Sequence, residues 1–398
     1  MKSIIIYLFT SILLIGVLSC EEIIPDAPPE NELLDGPTEG LSHSEQRQFL
    51  EGDIAFNDDV FTSITGLGPL FVATSCGSCH AGDGKGHPFT TLTRLGQTSP
   101  GTSPDLTIGG PQLQNRAIPG FQPEKIPDGV PFMKITPPAV TGLGFLAALT
   151  DEQILQNVDS LDLDGDGISG VPNFVIPPIF FNAKWFHQNI NGKFIGRFGK
   201  KASVIDLLQQ TVGAYNQDMG VTSTFEPKDP SSNLKVDPEV SDQTIQDVVF
   251  YLRTLKAPIP RSQDTDHILR GKQLFSEIQC ASCHIPEWTT TESDIEALSN
   301  KTFYPYTDLL LHDMGPGLDD GVTEGSAETY EWRTPPLWGL GLSPDSQGGS
   351  FFLMHDGRAQ SIEEAILLHG GEAESSRNQF TLISDSDREA IISFLKSL

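Results

Sequence analysis

Cys76-Gly77-Ser78-Cys79-His80 recurs as Cys280-Ala281-Ser282-Cys283-His284, and these two copies decide how the rest of the chain is read. Two thiols three positions apart, followed at once by an imidazole, match the attachment of a c-type haem. Each thiol adds to one vinyl group of the porphyrin, and the histidine reaches the iron from the same side. A thioredoxin-like redox pair would want a βαβ setting, and a structural zinc site would want both CxxC pairs in one small knot. Here the pairs lie far apart and each has its own histidine. The one remaining cysteine is Cys20, so no thiol is left to pair in a disulfide within the body. The expectation is two covalent haems c, held by Cys76, Cys79, Cys280 and Cys283, with His80 and His284 on the irons.

The surrounding composition is that of a soluble, loop-rich protein long enough for two or three domains, with 29 prolines in 398 residues. Aspartate and glutamate outnumber lysine and arginine 53 to 25, a formal net charge of −28. Such a surface repels phosphate backbones, which excludes nucleic acid as a partner and favours cationic ones.

Residues 1–20 read as a lipoprotein signal peptide: Lys2, a short apolar run from Ile4 to Leu18, and Ser19-Cys20 at the cleavage point. The run is too short to span a bilayer. Cys20 is then the lipid-carrying first residue, and the protein an exported bacterial lipoprotein of the cell envelope, tied to a membrane by its N-terminal lipid. Residues 21–41, acidic and proline-rich, form a tether that cannot bury enough apolar surface to fold.

The body is duplicated. Ser241-Asp242 opens a helix with Ile245, Val248, Val249, Leu252 and Leu255 at helical spacing, and Ser384-Asp385 opens another with Ile391, Ile392, Leu395 and Leu398. Ahead of each CxxCH comes a further helix, Ser44 to Asn57 in the first copy and the stretch with Ile268, Gly271, Leu274 and Phe275 in the second. Helix, haem motif and closing helix make the cytochrome c plan. The expected fold is mainly α, with two cytochrome c-like domains at 42–257 and 258–398, the first enlarged by a loop-rich insertion. Within that insertion Asp162, Asp164 and Asp166 alternate with glycines, as in the first half of an EF-hand loop, and can converge on one Ca²⁺. Asn173 stands where the bidentate glutamate of such a loop would be.

Gly271-Lys272-Gln273-Leu274-Phe275, Tyr306 to Gly315, Glu331 to Trp338 and His355 to Ala359 resemble the di-haem oxidoreductase family, also called thiol oxidoreductase, which is related to bacterial di-haem cytochrome c peroxidases and MauG. The resemblance reaches back through Pro137 to Gly144, Gly196 to Gly199 and Asp218 to Gly220, and so covers the body from about residue 45. It implies an oxidoreductase of the peroxidase-like class, with the first haem meeting substrate and the second exchanging electrons with a redox partner protein. It also implies that the residue on the far face of the second haem follows the His355-Asp356-Gly357 turn and the helix with Ile362 to Ala365, and falls on His369. Relatives often have a glutamate where this chain has Ala147 and a tryptophan where it has Lys200. If that glutamate is the acid of the first pocket, Ala147 removes it. Two rival functions stand beside this one: a plain electron relay with both irons six-coordinate, and oxidation of a protein or thiol substrate. Met354 and His312 are the next candidates for the second iron after His369.

Overall fold

The structure is a computed structural model describing residues 28–97 and 111–398. The signal peptide, Cys20 and the start of the tether lie outside the described residues. Residues 28–33, with a single turn at Glu30–Glu32, belong to one unit, and Leu34–Leu398 form a second, compact unit. The division of the body at residue 257 remains an expectation.

Helices are the main regular elements among the described residues: α1 His43–Asp53, α2 Leu143–Ala147, α3 Asp151–Leu155, α4 Leu207–Gly213, α5 Asp242–Thr254, α6 Asp266–Glu277, α7 Ser343–Ser346, α8 Ile362–Leu367, α9 Glu374–Leu382 and α10 Asp385–Ser397. Strands are few and small. They pair into two-stranded antiparallel ribbons, the longest setting Leu92–Leu95 against Phe132–Ile135. No barrel is formed by them. No helix of the described residues is long and apolar enough to cross a membrane.

The closing helices start where the serines predict. Ser241 Oγ accepts the amide of Thr244 at 3.0 Å and Ser384 Oγ that of Asp387 at 3.2 Å, each satisfying one orphan donor of a first turn. Ser42 opens α1 with a full capping box: its hydroxyl takes the Glu45 amide while the Glu45 carboxylate accepts from the Ser42 amide at 2.8 Å.

In both copies the helix ahead of CxxCH crosses the closing helix at a glycine. A Cβ on Gly52 would strike the Asp247 carbonyl and come within 2.6 Å of the Tyr251 Cβ. On Gly271 it would strike the Ala390 carbonyl and come within 2.8 Å of the Phe394 Cβ. Counted from the cap serine, the residues struck hold the same place in α5 and in α10. An aromatic ring one turn beyond each glycine then fills the angle of the crossing: Phe56 lies 5.4 Å from Tyr251, and Phe275 lies 5.5 Å from Phe394. Those same rings reach the motif histidines, His80 at 5.8 Å from Phe56 and His284 at 6.3 Å from Phe275. One apolar cluster gathers Phe49, Leu146, Tyr251 and Leu252 together with Trp288, Phe303 and Trp338 from the later part of the chain, and another gathers Leu274, Tyr306, Phe380 and Phe394.

The long irregular stretches are held by buried polar side chains that serve backbone groups. Asn173 is fully buried. Its amide donates to the carbonyls of Lys201 and Glu324 at 2.6 and 2.8 Å, and its oxygen accepts from the Ser326 amide at 2.7 Å. It is thereby committed to the fold and is not turned toward the aspartate loop. Arg197 and Asp151 form a buried ion pair in the same region.

Candidate functional site

Each CxxCH is a tight turn that brings its two thiols to one side. In the first, the amides of Cys79 and His80 both bond to the Cys76 carbonyl at 3.0 Å, and Ser78 closes onto Ser75. In the second, Gln279 takes a left-handed conformation with φ of 65°, a single 3₁₀ turn covers Cys280–Ser282, and the His284 amide bonds to the Cys280 carbonyl at 3.0 Å. Burial pushes the thiols up, to about 12 at Cys76, about 11 at Cys79 and about 12 at Cys280, and raises Cys283 as well. Thiols held in the protonated form are poor zinc ligands and poor redox nucleophiles. They remain suited to addition across a vinyl group.

The histidines are set up alike. His80 Nδ1 lies 2.9 Å from the Pro138 carbonyl, and His284 Nδ1 lies 2.9 Å from the Tyr306 carbonyl. A carbonyl can only accept, so Nδ1 carries the proton and Nε2 keeps its lone pair. Burial lowers both imidazoles to about 4, which keeps them neutral. A third histidine repeats the arrangement: His369, just past α8, donates from Nδ1 to the Ala365 carbonyl at 2.7 Å and is lowered by burial. It acts electrostatically on His284, so the structure brings together two imidazoles nearly ninety residues apart in the chain.

All three histidines and all four cysteines line one cavity of about 820 Å³. That volume is within the range of cofactor pockets, roughly 300–1,000 Å³. One face of α4 and its continuation contributes to the wall at the first motif, with Leu207, Gln210, Thr211, Ala214 and Asp218 at helical spacing. Three buried polar atoms here, Thr211 Oγ1, Tyr215 OH and Gln217 Oε1, have no hydrogen-bond partner among the described residues. Neutral imidazoles beside paired thiols on the wall of one cavity fit a haem at each motif.

Other candidates separate on geometry. His312 also lines the cavity, but its Nε2 meets Asp308 at 2.8 Å and its Nδ1 meets Glu372 at 2.7 Å. Those hydrogen bonds hold it protonated, well above the usual histidine range, so it has no lone pair for a metal. His355 is stacked on Trp332, with centroids 3.7 Å apart, and Met314 and Met354 line the wall. His87 is away from the cavity and accepts the Phe89 amide.

Residue 147 is not on the cavity wall. Its carbonyl lies 3.4 Å from Arg197 Nη1, within the packing around the Arg197–Asp151 pair. The wall carries two acids, Glu324, which is taken by Arg94 at 2.7 Å, and Asp218. Burial pushes its carboxyl up to about 7, opposed by Arg94, and it has no side-chain hydrogen bond among the described residues. An acidic residue followed by buried Met219 and Gly220 at a helix end was the available signal.

In the aspartate loop the carboxylates that approach within 4.8 Å of one another belong to Asp159, Asp162 and Asp164. All four aspartates of the loop also accept backbone amides, Asp159 from Leu163, Asp162 from Gly167, Asp164 from Asp166 and Asp166 from Ile168, and Asp166 is not among the three that converge.

Among known proteins, the family described as "Di-haem oxidoreductase, putative peroxidase" matches residues 130–398. No curated protein matches the chain. Similar solved structures include Kuenenia stuttgartiensis hydrazine synthase, at 14% identity over 94% of each chain with a TM-score of 0.42. Another is a MauG-like protein associated with microbial copper homeostasis, at 14% identity over 94% of this chain and 95% of that one, with a TM-score of 0.41.

Proposed function

The chain belongs to the di-haem oxidoreductase family, and from that premise we propose that it is an exported c-type cytochrome whose two covalent haems perform peroxidase-like oxidoreductase chemistry. The observation that carries this reading is the set of three neutral imidazoles offering Nε2 to one cavity that both CxxC pairs line. Cys76 and Cys79 hold the first haem with His80 on its iron. Cys280 and Cys283 would hold the second, with His284 and His369 as the residues that would serve its iron. Haem supplies reversible one-electron chemistry and, where an axial face is open, a place for peroxide to react.

The protein's own part at the first site is proton handling. Asp218 has a carboxyl whose ionisation falls near neutrality, the condition under which one group can both take and return a proton. Arg94 lies close enough to influence it and is itself fixed by Glu324 at 2.7 Å. The second site has no such acid free, since Asp308 and Glu372 are bound to His312. It is the electron-exchange end, and the acidic surface suits a cationic redox partner. Asp159, Asp162 and Asp164 are the ligands we assign to a Ca²⁺. Cys20 carries the lipid.

The test is protein made with a cytochrome c maturation system. Its mass should rise by two haems, Cys76→Ala and Cys280→Ala should each lose one attachment, and the resting spectrum should contain one high-spin and one low-spin haem. A fully low-spin spectrum in both redox states would instead make the protein an electron relay. Cys20→Ser should release the protein from the membrane fraction.

A further inference from the structure

Lys85, Lys200 and Arg333 come from three distant parts of the chain and line the same cavity. All three are half-buried by accessible area. Among the described residues no carboxylate lies within ion-pair distance of any of them. Lys85 Nζ reaches only the Met354 carbonyl, at 3.4 Å. Lys200 Nζ has no hydrogen-bond partner among the described residues. Arg333 spends Nε on the Gly199 carbonyl at 2.9 Å and Nη1 on the Thr334 carbonyl at 3.1 Å, which leaves Nη2 free.

The neighbouring lysine shows what a settled buried amine looks like in this fold. Lys201 Nζ donates to the carbonyls of Glu328, Thr329 and Glu331 at 3.1, 2.9 and 2.8 Å, and lies 4.0 Å from the centre of the Trp332 ring. Lys200, one residue earlier, has none of this. The acids that act on the cluster from a distance are already taken, Asp356 by Arg358 at 2.8 Å and Asp308 by His312 at 2.8 Å. The cations also oppose one another. Burial and then Lys85 and Arg333 force the Lys200 amine well below its usual range, and burial brings Lys85 down to about 8.

Three enclosed bases without a counter-ion are costly to keep, because each desolvated charge costs several kcal/mol unless it is paired. An anion in the cavity removes that cost. We propose that Lys85, Lys200 and Arg333 form a carboxylate-binding wall that receives haem propionates where the two haem sites meet. Amines and a guanidinium are the natural partners of such carboxylates. Lys200 acts on His80, and Lys85 follows His80 by only five residues, so these two lysines serve the first haem. The inference rests on the reading that haems occupy the cavity.

The experiment compares haem-loaded wild type with Lys200→Met, Lys200→Arg and Arg333→Gln by mass, by redox titration at several pH values and by melting temperature. Both haems should stay attached. In Lys200→Met one of the two potentials should fall, because a positive charge that disfavours ferric iron is gone and a propionate is left uncompensated. That potential should also become more pH-dependent as the freed propionate titrates, and the melting temperature should drop. Lys200→Arg should restore all three. Unchanged potentials together with a higher melting temperature in Lys200→Met would overturn the proposal, since an unpaired buried amine gains from apolar replacement. A potential in wild type that moves on adding phosphate or acetate would assign the wall to a free anion and overturn it equally. Absence of haem from the wild type would fail the functional reading instead.

Discussion

The two glycine crossings give the most direct test of how the fold holds its haem motifs. In Gly271→Ala the new methyl would sit 2.8 Å from the Phe394 Cβ and collide with the Ala390 carbonyl. Carbon atoms in contact prefer about 3.5–4.0 Å, so α6 and α10 must separate by roughly 1 Å. A carbonyl inside a helix cannot swing aside as a flexible side chain can. Overpacking of this kind costs about 1–3 kcal/mol, and the upper end applies because the obstacle is backbone. Alanine returns about 1 kcal/mol of helix propensity, which leaves a net loss of about 2 kcal/mol. For a unit of this size that is a fall in melting temperature of about 4 °C or somewhat less. Scanning calorimetry measures it, with Ser276→Ala on the exposed face of the same helix as the control, expected within about 0.5 kcal/mol of wild type. The disturbance should also be local: Phe275 shifts against His284, so the second haem's spectrum should change while the first stays as it was. Gly52→Ala should reverse that assignment. If Gly271→Ala melts with the wild type, the crossing is looser than its geometry indicates and the duplication argument loses its mechanical basis.

His369→Met should raise one of two haem potentials and leave the other nearly still, and His369→Gly should render one haem high-spin; potentials unmoved in a low-spin protein would take His369 off the iron. Chelating Ca²⁺ should lower the melting temperature, and Asp159→Ala or Asp164→Ala should abolish that response, whereas Asp166→Ala should retain part of it. With a carboxyl near 7, peroxide turnover should rise as pH passes about 7 and then level off, and Asp218→Asn should lower it about 10²–10⁴-fold and flatten the profile. The same raised carboxyl favours the folded state only when protonated. Its contribution is therefore lost as pH rises from the ordinary carboxylate range through about 7, and the asparagine variant should lack that loss in a pH series of melts.

What could be read from the sequence is what is short-range. A cap serine, a 3.6-residue apolar period and a CxxCH turn are each complete within a dozen residues; α5 and α10 begin at their cap serines, and α6 buries the Ile268, Gly271, Leu274 and Phe275 face that the period marked. The acceptors that fix the histidine tautomers are backbone carbonyls, at Pro138 and Tyr306, and a carbonyl has no letter in the sequence. Nothing local marks Gly52 as a crossing point, because its obstacle is almost two hundred residues away. In the aspartate loop the alternation of acids with glycines correctly signals a turn. Which three carboxylates converge depends on the path of the backbone, and that path brings Asp159 beside Asp162 and Asp164.

The cavity wall could not have been read that way, and the reason is electrostatic. In the sequence Lys200-Lys201 is simply two adjacent bases, which on an acidic chain would be assigned to the solvent. Only the fold shows that one amine is buried among carbonyls and the other is enclosed with nothing to neutralise it. The two environments differ because Lys201 turns toward the strand Glu331–Arg333 and the loop before it, where irregular backbone has carbonyls to spare, whereas Lys200 turns toward the space that both haem motifs share. A chain with a net charge of −28 has carboxylates in plenty to supply such an amine. That none of the described ones does so here, while Arg94, Arg253 and Arg270 all find theirs, makes the wall a place kept for an anion that the polypeptide does not itself provide.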